Sequence, residues 1–296
     1  MSELAFIVPV RNIETLHRTL SMLSFQRDRA FRVYVVDLTG SESAVSSVTE
    51  EFEEKLSLSV YGMDLSGEPL WKNCLDLVPD AQWVCFLMPG VNLGRKSFGR
   101  MRKCIQAHPD FDAFRWILAK PYRKPCLKTS AGKLFKSVFS DGGAAPLSSF
   151  FFRAQTLRDA FAADPEAAGM DFAVILSGAK KTGARTVRWE RVGYRKPKAP
   201  SDPSQIEKSV RARLAFFRWT ERFFGDDYPL GVGARLGLFA GELARLYPSY
   251  TQDELKEELY SFSAADGTVR RMRAASAIKS AIKARQDALT AVPPEK

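Results

Sequence analysis

Residues 4–12, LAFIVPVRN, decide the fold. Seven apolar residues in a row, rich in branched side chains, read as a strand buried on both faces, and a buried strand of this kind belongs in a mainly parallel sheet. Asn12 follows as a helix cap, and Leu16, Leu20, Leu23 and Phe25 recur close to helical spacing behind it. The strand-then-helix alternation repeats outward. FRVYVVD (31–37) is a second strand, SESAVSSVTEEFEEKL (41–56) a capped acidic helix and LSLSVYG (56–62) a third strand. PLWKNCLDLV (69–78) is a helix and QWVCFLM (82–88) a fourth strand. The helix RKSFGRMRKCIQAH (95–108) leads to the strand FDAFRWIL (111–118). Short strands alternating with helices predict an α/β chain with a mainly parallel sheet and helices on both faces.

From Lys120 to Pro146 the pattern dissolves into Pro, Gly, Ser and Lys, the composition of a long functional loop or an irregular crossover. PLSSFFFR (146–153) resumes as a strand, TLRDAFAAD and MDFAVILSGAKKTG as helices, and ARTVRWERV (184–192) as a last strand. YRKPKAPSDPS (194–204) has the composition of a linker. Helices are expected at 205–225, about 230–247, 251–263 and 268–289. Two regions result: residues 1–195, a ligand-binding α/β domain, and 196–296, a C-terminal helical appendage.

With 296 residues and 45% hydrophobic content the chain can bury a sizeable core. No stretch approaches the roughly 18–20 apolar residues of a membrane-spanning helix, and no basic-then-apolar leader opens the chain, so a cytoplasmic location is expected. Cys74, Cys85, Cys104 and Cys126 are scattered and only two His are present, which encodes neither a disulfide framework nor a zinc site. Charge is uneven: residues 1–112 hold 12 Lys/Arg against 15 Asp/Glu, and residues 113–296 hold 32 against 19. The positive half suits an anionic partner, whether phosphates, an acidic glycan or an anionic membrane surface, or else is a plain soluble surface. Nucleic acid ranks last, because no helix-turn-helix, RRM-like or zinc signature accompanies the charge. Nothing in the sequence sets an oligomeric state.

Ligands of an open α/β sheet bind beyond the carboxyl ends of its strands. Those ends are Pro9-Val10-Arg11-Asn12, Asp37-Leu38-Thr39-Gly40-Ser41 and Met88-Pro89-Gly90-Val91-Asn92. None carries a GxGxxG or GxxxxGK[ST], so a dinucleotide site or a P-loop is disfavoured. Asp37 can accept hydrogen bonds from a base or ribose, and it can equally stabilise its own turn. Pro9 can shape a pocket wall; Asn12 can do so too, or act only as a helix cap.

Taken in order, PVRN, VVDLTGSES, the helix with Lys72-Asn73, QWVCFL with its turn, SSFFFRAQTL and GMDFAVIL resemble glycosyltransferase family 2, which has the GT-A fold. The resemblance covers about residues 3–195. It implies inverting transfer from a nucleoside-diphosphate sugar to an acceptor hydroxyl on a glycan or lipid-linked glycan. By the same resemblance Pro9, Asn12, Asp37, Lys72, Asn73, Met88 and Gly90 fall at donor-binding positions, and Asp171 at the catalytic base. The departures are equally specific. Leu38 replaces the second Asp of V-D-D, Lys72 the Arg of Arg-Asn, and Met170 the Glu before the base. The metal-binding L-D-x-D has become Leu87-Met88-Pro89-Gly90. Mg²⁺ and Mn²⁺ need oxygen ligands, so no metal is expected at the usual position, and no cofactor is expected.

Positive charge can stand in for the metal. Between Ala113 and Ser140 lie seven basic residues and no acidic one, with Lys120, Arg123 and Lys124 as candidates for the diphosphate or an acidic acceptor. The alternative is a non-catalytic relative that binds a nucleotide sugar or glycan, or scaffolds an active partner. Phe216, Phe217, Trp219, Phe223 and Phe224 read as a packing cluster. The last helix, with six basic residues and no acidic one over 269–286, can rest on an anionic membrane or pack through Ile278 and Ile282.

Overall fold

The structure is a computed structural model that describes residues 3–64, 69–88, 91–117, 129–140, 147–191, 193–194, 203–229, 237, 240–241, 244, 251–255 and 277–283. The chain divides into two compact units, 1–197 and 198–296.

The first unit is built on a seven-stranded sheet. Its strands are β1 (Leu4–Val10), β2 (Arg32–Asp37), β3 (Ser57–Gly62), β4 (Trp83–Phe86), β6 (Ala113–Ile117), β7 (Phe150–Arg153) and β8 (Ala184–Arg191). A separate antiparallel pair joins β5 (Val91–Asn92) to β9 (Gly193–Tyr194). The order across the large sheet is β3-β2-β1-β4-β7-β6-β8, parallel except for β7, which runs antiparallel to both neighbours. The mainly parallel α/β sheet expected from the sequence is therefore the one observed. All seven residues of β1 are buried, as its unbroken apolar run requires of a central strand.

Side chains alternate between sheet faces. Leu4, Phe6, Val8 and Val10 of β1 join Trp83, Cys85 and Leu87, Phe114, Trp116 and Phe151 in one core. Over it pack α1 (Ile13–Ser24), α2 (Glu42–Glu50) and α4 (Ser97–Ala107), through Leu16, Leu20, Leu23, Val45, Phe98, Met101 and Ile105. Phe6 meets Phe31, Phe98 and Phe151 in edge-on or tilted ring contacts 5.1–5.7 Å apart. Truncating such a ring in a closed core costs about 3–5 kcal/mol, so Phe6 is a pivot of this layer.

The opposite face carries Phe86, Phe150 and Phe152. Against it lie α3 (Leu70–Asp76), α6 (Ala154–Ala163) and α7 (Asp171–Gly178), which contact one another, and α5 (Ala131–Ser140), which contacts α7. Trp71 of α3 packs on Phe86 at 4.8 Å, and Gly178 of α7 presses on Phe152.

Four local readings change. The 120–146 segment contains α5, whose Ala131, Leu134 and Phe135 are buried at helical spacing. The helix expected over 41–56 ends at Glu50 and gives way to turns, because Phe52 and Leu56 turn in to the core while Glu51, Glu53, Glu54 and Lys55 stay in solvent. PLSSFFFR begins with a 3-10 turn, Leu147–Ser149, and becomes a strand only at Phe150. Val91–Asn92, which fall between the strand expected at 82–88 and the helix expected at 95–108, supply β5.

In the second unit, α8 (Pro203–Phe224) covers most of the expected 205–225 helix and the end of the expected linker. Phe216, Phe217 and Trp219 are buried; Trp219 stacks on Phe216 and Phe223, and the buried Thr220 hydroxyl lies 2.9 Å from the Tyr228 hydroxyl. No helix among the described residues is long and apolar enough to cross a membrane.

Candidate functional site

Parallel pairing brings the carboxyl ends of β1, β2 and β4 to one edge of the sheet. The N-terminus of α7 and the helix α3 are tied together there. Trp71, buried in α3, donates from Nε1 to Oδ1 of Asp171, the first residue of α7, at 3.0 Å. This bond joins residues 100 positions apart.

Asp171 is open to solvent, yet protein crowds it enough for desolvation to dominate its titration. Desolvation pushes its carboxyl above the ordinary carboxylate range, against opposing influences from the Trp71 hydrogen bond, the positive charge of Arg11 and its own backbone amide. Its place in the first turn of α7 also favours the anion, so desolvation outweighs several stabilising influences at once. Arg11, exposed just past β1, thus shares an electrostatic neighbourhood with Asp171. The site therefore combines a carboxylate, an indole donor and a guanidinium, from α7, α3 and the β1 end.

The other donor-site candidates are placed as follows. Pro9 is buried in β1 beside Val36 of β2, on the Phe86 face. Asn12 caps α1, its Oδ1 accepting from the Glu14 amide at 2.9 Å. Asp37 is buried and its Oδ1 accepts from both the amide and the hydroxyl of Thr39, each at 2.7 Å. Gly40 completes that turn with a φ of 69°, in the left-handed region that favours glycine. Lys72 is exposed and pairs with Asp76 at 2.7 Å; Asn73 is half-buried in the same helix. The Met88 amide donates to Ser148 Oγ at 2.7 Å, tying the end of β4 to the turn before β7. Gly90, Lys120, Arg123 and Lys124 lie outside the described residues.

The fold family implies a divalent metal near the end of β4. Leu87 is buried in the core, Met88 offers only a thioether, and Pro89 and Gly90 have no side-chain oxygen. Among the described residues no three His, Cys, Asp or Glu side chains converge. That donor set does not fit a hard cation. Of the three described cysteines, Cys74 and Cys85 are inert core thiols: burial pushes Cys74 up to about 12 and Cys85 well above its usual range.

Three contributors were missed in the sequence. Trp71 stood in plain view beside Lys72-Asn73, and a lone Trp in a short helix with a polar N–H to satisfy was the available signal. Arg11 was seen only as a strand end. Ser148 carried no signal at all.

No family model matches the chain, and no curated relative is found by sequence. Solved structures do match. S. aureus TarS 1–349 in complex with UDP-GlcNAc superposes with a TM-score of 0.56 at 13% identity, over 97% of this chain and 92% of that one. The Pyrobaculum calidifontis mannosyltransferase PcManGT, in complex with GDP-Man and Mn²⁺, gives 0.53 at 13% identity, over 97% and 87%. Sheet order, the antiparallel β7 and these likenesses agree: the chain has the GT-A fold of glycosyltransferases.

Proposed function

We propose that the chain transfers a glycosyl group from a nucleoside-diphosphate sugar to an acceptor hydroxyl, with inversion, using Asp171 as general base. The observation that carries this is Asp171 itself: solvent-open, oriented by Trp71, within the electrostatic reach of Arg11 at the end of β1 and more basic than an ordinary carboxylate. In the reaction, the acceptor O–H gives its proton to Asp171. Its oxygen then bonds to the anomeric carbon from the face opposite the leaving group, and the bond to the diphosphate breaks with its electron pair. A raised carboxyl pKa strengthens the base at neutral pH, and Trp71 on Oδ1 leaves Oδ2 to meet the acceptor. The nucleotide sugars held by TarS and PcManGT support this donor class for the present chain. The acceptor in this reading is a glycan or lipid-linked glycan.

The turn at Asp37 and the buried Pro9 form the nucleotide end of the site in this reading, with Asn73 on α3 beyond them. Transfer proceeds without a D-x-D-bound metal; positive charge on Arg11 and on the 113–140 segment, where Lys120, Arg123 and Lys124 lie, stabilises the departing diphosphate. Arg115 is not part of that supply, because its Nε donates to Thr186 Oγ1 at 2.8 Å within the sheet.

A second reading, a non-catalytic protein that binds a nucleotide sugar or scaffolds a partner, is favoured by the loss of side-chain carboxylates after β4. Calorimetric titration with UDP, GDP, CDP and dTDP, each in EDTA and in Mn²⁺, combined with donor-sugar turnover, separates the two. EDTA-insensitive binding with turnover that Asp171→Asn abolishes supports transfer. Binding without turnover supports the second reading, and no binding refutes both.

A further inference from the structure

Phe25 is the most exposed large hydrophobic side chain among the described residues, at 61%. It follows α1 directly, and the segment it begins is locked to the loop before α4. Gln26, 2% exposed, donates from Nε2 to the Gly94 carbonyl at 3.0 Å and accepts at Oε1 from the Phe98 amide at 3.3 Å. The Arg27 amide donates to the Arg95 carbonyl at 2.9 Å. These bonds tie two segments nearly 70 residues apart into one platform, on which Arg27, Arg29, Arg95 and Lys96 are all exposed. The only carboxylate within either segment, Asp28, is paired with Arg102.

An exposed aromatic ring on a fixed platform whose two segments carry four exposed cations matches the requirements of a lipid headgroup layer: an apolar anchor for the acyl boundary and basic charges for anionic phosphates. We propose that this face, Phe25 with Arg27, Arg29, Arg95 and Lys96, docks the chain on an anionic phospholipid membrane. These residues belong to the first unit, whereas the basic stretch 269–286 belongs to the second.

Co-sedimentation of the full chain with phosphatidylcholine vesicles, with and without phosphatidylglycerol, tests the assignment and needs no sugar substrate. Binding is expected only to the anionic vesicles and weakens as salt rises. Each basic residue at such a surface strengthens binding about fivefold, so Arg27→Glu with Arg95→Glu lowers it about 25-fold or more. Phe25→Ser, which alters no charge, lowers it as well, and circular dichroism checks that both variants fold. Lys279→Glu with Lys283→Glu, on the exposed side of the C-terminal helix, leaves binding within about twofold. The assignment is overturned if anionic vesicles bind no better than neutral ones, or if the Phe25 and Arg27/Arg95 variants bind normally. It is equally overturned if the Lys279/Lys283 variant loses as much, or if a single-stranded oligonucleotide binds more tightly than the vesicles.

Discussion

Gly178 closes α7 against β7, and replacing it with alanine tests the packing that holds Asp171 in place. A Cβ at this position would lie 2.3 Å from Cδ1 and 2.7 Å from Cε1 of Phe152. Carbon atoms pack at about 3.5 Å, so helix and ring must part by about 1 Å. The ring cannot yield, being fully buried and stacked on Phe150 with centroids 5.7 Å apart. Overpacking of this kind costs about 1–3 kcal/mol, and a contact this short belongs at the upper end. Alanine regains up to about 1 kcal/mol of helix propensity, leaving a net loss of about 2 kcal/mol. For a unit of this size that lowers Tm by about 4–8 °C, read by calorimetry. The displaced helix carries Asp171 at its other end, so a 1 Å shift stretches the 3.0 Å bond from Trp71 and lowers transfer by up to about 100-fold. Phe152→Leu in the same chain frees space and restores part of both. Gly169→Ala, where nothing lies within 4 Å, is the control and leaves Tm unchanged or slightly raised. A Gly178→Ala protein as stable as the parent would refute the reasoning.

Asp171→Asn separates chemistry from stability. Folding raises this carboxyl's pKa, so its favourable contribution is complete below the ordinary carboxylate value and is lost as pH rises through the raised one. A neutral amide escapes that loss: urea titrations at pH 7 should show the variant at least as stable as the parent, while transfer falls by about 100-fold or more. A variant clearly less stable at pH 7 would contradict the assignment. Trp71→Phe keeps a ring on Phe86 but removes the donor to Oδ1. A charge-assisted hydrogen bond of about 1.5 kcal/mol corresponds to roughly a tenfold drop in kcat. The acid limb of the pH profile moves upward, because an influence that lowers the Asp171 pKa is gone; an unmoved limb counts against the base. Gln26→Leu leaves the buried Phe98 amide without its acceptor and costs about 1–3 kcal/mol, measured by chemical denaturation.

The sheet was legible because the physics that forms it is local. An apolar run buried on both faces, as in β1, leaves its mark in consecutive residues, and Asn12 announces the helix that follows. The antiparallel direction of β7 was not legible, since an apolar run as short as FFFR carries no pattern that distinguishes parallel from antiparallel pairing. The helix α5 itself was hidden because two lysines, two serines and a glycine dilute the stripe of Ala131, Leu134 and Phe135. Asp171 could be singled out by motif position, but its surroundings depend on Trp71, 100 residues away, and on Arg11 at the end of β1, which only tertiary structure brings near.

The turn after β4 shows how the local and the tertiary are coupled. With carboxylates at positions 88 and 90, this turn would concentrate negative charge at the sheet edge, and a cation would be needed to hold it there. With Met88 instead, the chain leaving β4 is held by a neutral bond from the Met88 amide to Ser148 Oγ, and Leu87 joins the core. Asp171, for its part, has Arg11 as its charged neighbour. A carboxylate whose charged neighbour is a cation would ordinarily become a weaker base. That Asp171 is nonetheless pushed upward means desolvation exceeds the pull of Arg11 and Trp71 together. A diphosphate bound against Arg11 would offset that pull and make Asp171 more basic still when the donor is in place, so kcat should show an acid limb at higher pH than donor-free titration of Asp171.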